Sequence, residues 1–262
     1  MKRVVAETHE WEPYEGLAAI YDHVMRHVDY EGWAAYVRRI FQRFDEGGVE
    51  RMVDLACGTG NLTIQLHALG YHLAGVDGSA AMLKVARGKA VNQAREIDYR
   101  TGDLRALEGV GGPFDAAVCL YDSFNYLLTP VDVDAALLAV CRILDPSSLF
   151  IFDVCTERNS LVHFSNVQDA EEGPGFVYTR HSYYDKRRHL QFNSFDICLG
   201  EEGDHVRETH SQRIYPHSDL LARIEASPFE LLGAYDGFTF NRGSDESDRV
   251  HFVLRSPARQ SA

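Results

Sequence analysis

Val53-Asp54-Leu55-Ala56-Cys57-Gly58-Thr59-Gly60-Asn61-Leu62-Thr63 is the stretch whose reading decides the fold. A short apolar run, Met52 to Ala56, ends in a Gly-rich turn, and helical spacing follows to Leu69, where Gly70 can close the helix. Strand, glycine turn and helix in that order open a βαβ unit. Glycine takes positive φ and lets a ligand approach the backbone closely, but a G-x-G alone is explained equally well by a tight turn.

Downstream the same rhythm repeats. His72 to Asp77 is the next strand, and Ser79 can cap the helix that carries Met82, Leu83 and Val85. Ile97–Thr101 is a weaker strand and Phe114–Leu120 a strong one. Thr129-Pro130-Val131-Asp132 has the cap, proline and acid of a helix start, and that helix should run to about Leu144. Leu149–Val154 is apolar throughout, as a strand covered on both faces should be. Alternating strands and helices predict an open, mostly parallel α/β sheet with right-handed crossovers.

The rhythm breaks after residue 155. Phe176–Tyr184, Leu190–Leu199 and Val206–Tyr215 read as strands joined by turns, with no helix between them. The apolar phase of the middle strand shifts after Phe192, which predicts a bulge near Asn193-Ser194. The polar third strand suits a lid, a dimer edge or a solvated face. A helix from about Ser218 to Ala226 restores the α/β style, and Glu230–Phe240 and Arg249–Arg255 end the sheet, the last strand antiparallel. Upstream, Leu17, Ile20, Tyr21, Val24 and Met25 have helical spacing, as do Trp33, Tyr36, Val37, Ile40 and Phe41. The expected organisation is a helical cap at 1–50, a core at 51–155 and 216–258, and an antiparallel insertion at 156–215.

Ligands of such sheets bind at the carboxyl ends of the strands. Four features meet there. The first is the glycine turn. The second is Asp77, 19 positions after Gly58, where a carboxylate can accept from two ribose hydroxyls. The third is Gly102-Asp103-Leu104, where a carboxylate can accept from an exocyclic amine. The fourth is Leu120-Tyr121-Asp122-Ser123-Phe124-Asn125-Tyr126 at the end of the fourth strand. Each acid alone reads more readily as a turn or surface residue; their order and spacing together are hard to produce by chance.

These motifs resemble those of class I, Rossmann-like S-adenosylmethionine-dependent methyltransferases over residues 51–155. Val53 to Thr63 looks like their first motif, Gly75-Val-Asp77-Gly78-Ser-Ala-Ala-Met82 like the second, and Gly102-Asp103-Leu104 and Phe114 to Leu120 like the next two. Ala56 departs from the usual first glycine and should crowd the site slightly. Ala19-Ile-Tyr21-Asp22, with Asp29 to Trp33, is similar to the helical cap of bacterial glycine and amino-sugar N-methyltransferases.

The resemblance implies S-adenosylmethionine as methyl donor and an in-line displacement that depends on alignment and exclusion of water. It implies that Ala56, Gly58 and Gly60 shape the loop around the methionine part, with Tyr21 near its carboxylate. Asp77 and Gly78 would bind ribose, Met82 would pack on adenine, and Asp103 and Leu104 would meet the adenine edge. Leu120 and Tyr121 would lie under the methionine end. Asp122, Asn125 and Tyr126 are the catalytic candidates on the acceptor side. His181 and His210 either face the acceptor or sit on a solvated strand face. No metal is required by this chemistry, and the histidines are read as forming no metal site.

Composition narrows the partners. The 262 residues are 45% hydrophobic and 25% charged, enough for an ordinary core. With 39 acids against 26 bases the net charge is −13, which disfavours binding to nucleic acid or an anionic membrane. Arg187-Arg188 is the one short basic candidate, and it reads first as a solvated turn. Five cysteines without a C-x-x-C pair suggest neither disulfides nor zinc. The polar N-terminus and the absence of a long apolar run lead to the expectation of a cytoplasmic protein with a small-molecule acceptor and a possible homodimer. Two rival readings remain. A nicotinamide-dependent oxidoreductase would want a third glycine where Thr63 stands. A non-catalytic scaffold of the same fold would show no turnover.

Overall fold

The structure, a computed structural model, describes residues 9–45, 47–200 and 205–259. Its larger sheet is built from β2 (Arg51–Leu55), β3 (His72–Asp77), β4 (Asp98–Thr101), β5 (Phe114–Cys119), β6 (Leu144–Cys155), β11 (Glu230–Asp236) and β12 (Arg249–Arg255). The strand order is β11-β12-β6-β5-β2-β3-β4. All pairs from β6 to β4 are parallel, and β12 alone runs against both its neighbours. The chain leaves β2 towards β3 and β4, then returns to the other side of β2 for β5 and β6. The reversal puts a crevice at the carboxyl ends of β2 and β5, where this topology binds ligands.

Helices cover both faces. Helices α5 (Pro130–Ile143) and α7 (His217–Ala226) pack with Phe150, Phe152, Phe252 and Leu254 on one face. Helices α2 (Tyr30–Phe44) and α3 (Asn61–Ala68) pack with Met52, Val118, Ile151 and Val253 on the other. The sequence signals for helix starts act as read. Thr129 and Asp132 form a reciprocal capping box on α5, and Ser79 accepts from Met82 N at the start of α4 (Ala80–Asn92). Each such cap stabilises its helix by about 1 kcal/mol. Among the described residues no helix is long and apolar enough to cross a membrane.

The second sheet has five strands, in the order β1-β10-β9-β8-β7. The three expected strands are β8 (Phe176–Asp185), β9 (Leu190–Leu199) and β10 (His205–Arg213). Two more were not legible. Strand β7 (Asn166–Gly173) is an acidic edge strand with few apolar residues, and β1 (His9–Glu10) adds in parallel to β10. Helix α6 (Glu157–His163) leads into this sheet, so residues 156–215 are not purely β.

Two expectations need correction. No bulge interrupts β9, whose register against β8 and β10 is continuous. The phase shift arises because Gln191 and Asn193 face inward together with Phe195 and Ile197; the inner face changes from polar to apolar along the strand. The N-terminal cap is also less helical than its spacing predicts. Among the described residues before α2 it holds a single 3-10 turn, Leu17–Ala19, and a four-residue α1 (Tyr21–Val24). The reason is that the backbone N–H groups of Tyr14, Gly16 and Leu17 donate to the buried Glu208 carboxylate rather than to a helical turn. Residues 11–29 therefore form an irregular strap between the two sheets.

Candidate functional site

The two sheets and the strap enclose one cavity of about 1330 Å³. Its first half is built on the carboxyl ends of β2, β3 and β5. After β2 the backbone turns through three left-handed residues: Ala56 at φ 53°, Gly58 at 57° and Gly60 at 76°. Gly58 needs glycine for its conformation, since a Cβ there would meet nothing within 4 Å. Gly60 needs it twice over, because a Cβ would stand 2.3 Å from the Tyr99 hydroxyl. Ala56 has the same handedness with a Cβ attached, at a cost of about 1–2 kcal/mol.

Asp77 ends β3 and faces this turn. One carboxylate oxygen accepts from Gly58 N and the other from Ser79 N, each at 2.8 Å. Burial raises its pKa, and the two N–H groups oppose that shift. Each oxygen keeps a lone pair for a further donor. Behind the turn, Asp54 is almost wholly buried and accepts from the Thr63 hydroxyl at 2.6 Å. Burial moves its pKa up to about 7, with Thr63 acting the other way. Thr63 thus has a partner of its own at the position where a dinucleotide fold wants glycine.

Gly78, Met82, Asp103, Leu104, Leu120 and Tyr121 all line the same cavity, as does Tyr21 from the strap. Met82 is buried in α4. Asp103 is half-exposed and held by Arg105, whose guanidinium lowers the carboxylate's pKa and also reaches Asp132. The strap is fastened over this half at Asp22, which accepts from Thr59 at 2.6 Å, from Asn61 at 3.0 Å and from Lys89.

The second half lies under the smaller sheet. Tyr121 and Asp122 follow β5 in consecutive left-handed conformations, φ 64° and 53°. Asp122 accepts from Arg249 at 2.9 Å and from Gln212 at 2.8 Å. Arg249 also pairs with the fully buried Asp153, and its guanidinium lies over the rings of Trp33 and Tyr121. Burial raises the pKa of Asp122, and Arg249 opposes that shift. Asp122 therefore lines the cavity as part of an ion cluster rather than as a lone carboxylate.

The other acceptor-side candidates separate. Tyr126 lines the cavity. Asn125 does not: it is fully buried, accepts from Cys155 N at 2.9 Å and donates to Arg213 O at 2.8 Å. It joins the end of β6 to the end of β10, which corrects the expectation that it faces an acceptor. His210 is buried and lines the cavity, whereas His181 is on the outer face of β8 with Asn166. The polar residues of β10 divide between its two faces: Glu208, His210 and Gln212 are buried on the inner one, and His205, Arg207 and Thr209 are exposed on the other. His23 and His27 stand four residues apart, a metal-like spacing that the sequence reading passed over. Their rings go to Glu171 and to Val24 O respectively.

Tyr14, Glu208, Arg249 and the Asp22–Lys89 pair were missed by sequence reasoning. Two of them carried a signal. Arg249 is a cation opening a largely apolar strand, and Glu208, His210 and Gln212 recur at the period of one strand face.

Residues 52–147 match the family described as a methyltransferase domain. The chain is 32% identical over 241 residues to the "putative methyltransferase YqeM" of Bacillus subtilis, covering 91% of this chain and 95% of that one. It is 30% identical over 212 residues to a glycine/sarcosine N-methyltransferase of Parasynechococcus marenigrum, covering 75% of each. Among solved structures, an S-adenosylmethionine-dependent methyltransferase from Clostridium acetobutylicum superposes with a TM-score of 0.79 at 24% identity, over 94% of this chain and 99% of that one. The sugar N-methyltransferase KedS8 from Streptoalloteichus gives 0.75 at 22%, over 98% and 96%.

Proposed function

The chain belongs to the class I methyltransferase family, and from that premise we propose that it transfers the sulfonium methyl group of S-adenosylmethionine to a small-molecule acceptor. One observation carries the reading: a single cavity runs from the glycine turn and Asp77 to the polar inner face of the second sheet. The donor would lie in the first half and the acceptor in the second.

The residues fit the donor. Asp77 has a carboxylate already turned by two backbone N–H groups and still able to accept from two hydroxyls of a ribose. Gly58 leaves the space beside its backbone open for the methionine part. Met82 and Leu104 offer apolar surface to the adenine ring, with Asp103 at its edge. When bound, the donor supplies an electrophilic methyl carbon. The chain's own contribution is alignment of the acceptor with that carbon and exclusion of water by the strap. Tyr21, Tyr121 and Leu120 wall the junction of the two halves.

A net charge of −13 and an insertion folded over the crevice support a small acceptor rather than nucleic acid. Five unpaired cysteines suit a reducing, cytoplasmic setting. The test is calorimetry with S-adenosylmethionine and its demethylated product. Micromolar binding of both ligands, weakened at least about tenfold in Asp77→Ala, supports the assignment. A folded protein that binds neither overturns it.

A further inference from the structure

The acceptor half contains a chain of hydrogen bonds that alignment alone does not need. The Tyr14 hydroxyl, on the strap, donates to the Tyr126 hydroxyl at 2.6 Å. The Tyr126 hydroxyl stands 3.1 Å from His210 Nδ1. His210 Nε2 stands 3.3 Å from Glu208 Oε2. Tyr14, Tyr126 and His210 all line the cavity, while Glu208 is fully buried behind them. Glu208 also accepts from three backbone N–H groups of the strap. A carboxylate so placed fixes one arrangement of protons: Nε2 of His210 carries the hydrogen, and Nδ1 is left bare to accept from Tyr126.

We propose that Tyr14, Tyr126, His210 and Glu208 form a proton relay that deprotonates a protonated amine acceptor before methyl transfer. This rests on the methyltransferase reading and adds to it the acceptor class and the base. An ammonium N–H donates to the Tyr14 oxygen. As that proton moves onto Tyr14, the Tyr14 proton moves to Tyr126 and the Tyr126 proton to His210 Nδ1. The result is a neutral amine and an imidazolium paired with Glu208. The nitrogen lone pair then forms the bond to the methyl carbon, and the carbon–sulfur bond breaks with its electron pair left on sulfur. Total charge is unchanged at each step, and the imidazolium proton returns to water after release.

The surroundings favour a cation arriving. Burial drives the tyrosine hydroxyls upward in pKa, so both remain protonated and able to pass a proton on. Burial also pushes Glu208 up, but His210 and the strap N–H groups outweigh it, so Glu208 stays ionised. Two carboxylates, Asp122 and Asp153, share the one guanidinium of Arg249 nearby. The rings of Tyr14, Tyr126 and Phe195 meet around His210 at 4.5, 6.2 and 5.6 Å and present aromatic surface suited to an ammonium. The titratable groups facing His210 are Tyr14 from the strap, Tyr126 from the turn after β5 and Glu208 on its own strand. Asp122, Arg249 and Arg180 face the same cavity.

The experiment uses the full chain, wild type and Tyr126→Phe, with His210→Gln as a second break in the chain. Calorimetry with S-adenosylmethionine first establishes that all three bind the donor equally; a wild type that does not bind it sinks the methyltransferase reading, not the relay. Methyl transfer is then measured with glycine, sarcosine, ethanolamine and an amino sugar, across pH. Tyr126→Phe is expected to lower kcat by about 100-fold at neutral pH with KM little changed. The deficit should close as the pH passes the amine's own pKa, because a neutral amine needs no base. A structural defect would not be rescued that way. Full activity in Tyr126→Phe, or a deficit that persists at high pH, overturns the relay. Failure of every amine with the donor bound overturns the amine assignment. Independently, the ¹⁵N spectrum of histidine-labelled protein should show His210 as the Nε2–H tautomer; an Nδ1–H tautomer overturns the relay without any turnover.

Discussion

The two halves of the cavity are made differently. The donor half is mostly backbone: a left-handed turn after β2 and carboxylates held by N–H groups one or two elements away. The acceptor half is mostly side chains drawn from distant parts of the chain. Asp122 meets Gln212 and Arg249, 90 and 127 positions on, and Tyr14 meets Tyr126 across 112. Backbone geometry binds what every relative binds with few side chains to vary. A side-chain network can be rewritten residue by residue, and that is where acceptor choice can diverge on a fixed fold.

The strongest test of this contrast is to break the charge cluster. Arg249→Met leaves Asp122 and Asp153 buried without their cation, which should cost about 3–5 kcal/mol in urea unfolding. A smaller loss would mean that the acceptor half tolerates rewiring more readily than its burial suggests. Next is Asp54, in the donor half. Its folded-state pKa, near 7, lies above the ordinary value of 3.8, so the native chain holds a proton that the unfolded chain releases. Its contribution to stability is present below pH 4 and is lost as pH rises to about 7, by about 1.4 kcal/mol per unit within that window. Asp54→Asn should remove that slope from a series of unfolding curves. Ala56→Gly should relieve the left-handed alanine and raise stability by up to about 1 kcal/mol, read as a higher urea midpoint. The smallest expected effect separates the halves directly. Asn193→Leu, on the inner face of β9, should leave the S-adenosylmethionine dissociation constant within about twofold in the calorimetry that shows Asp77→Ala to be at least tenfold weaker.

The same contrast explains what could be read from sequence. The strands and helices of the larger sheet were legible, because apolar runs, the Ser79 and Thr129 caps and the glycine turn are local signals. So was the position of Asp77, at a strand end a fixed distance after Gly58. The acceptor half was legible only as candidates. Asp122 and Tyr126 are on the cavity, yet nothing local to Asn125 distinguishes a buried strap between strand ends from a polar group facing a ligand. The phase shift in β9 was a real signal assigned to the wrong cause: polar residues facing inward mimic a bulge when the inner face is assumed apolar. Tyr14 could not be found at all, since its partners become neighbours only once the strap lies across β10.

That strap is fastened at both ends of the cavity, by Asp22 to the donor loop and by its backbone to Glu208. Tyr14 and the backbone groups that hold Glu208 belong to the same few residues, so any movement of residues 14–17 away from β10 would also part Tyr14 from Tyr126. Such a movement would uncover the donor loop and disconnect the proposed relay in one event. One segment thus carries both the cover of the donor half and the first hydroxyl of the chain, and coupling between the two needs no further part.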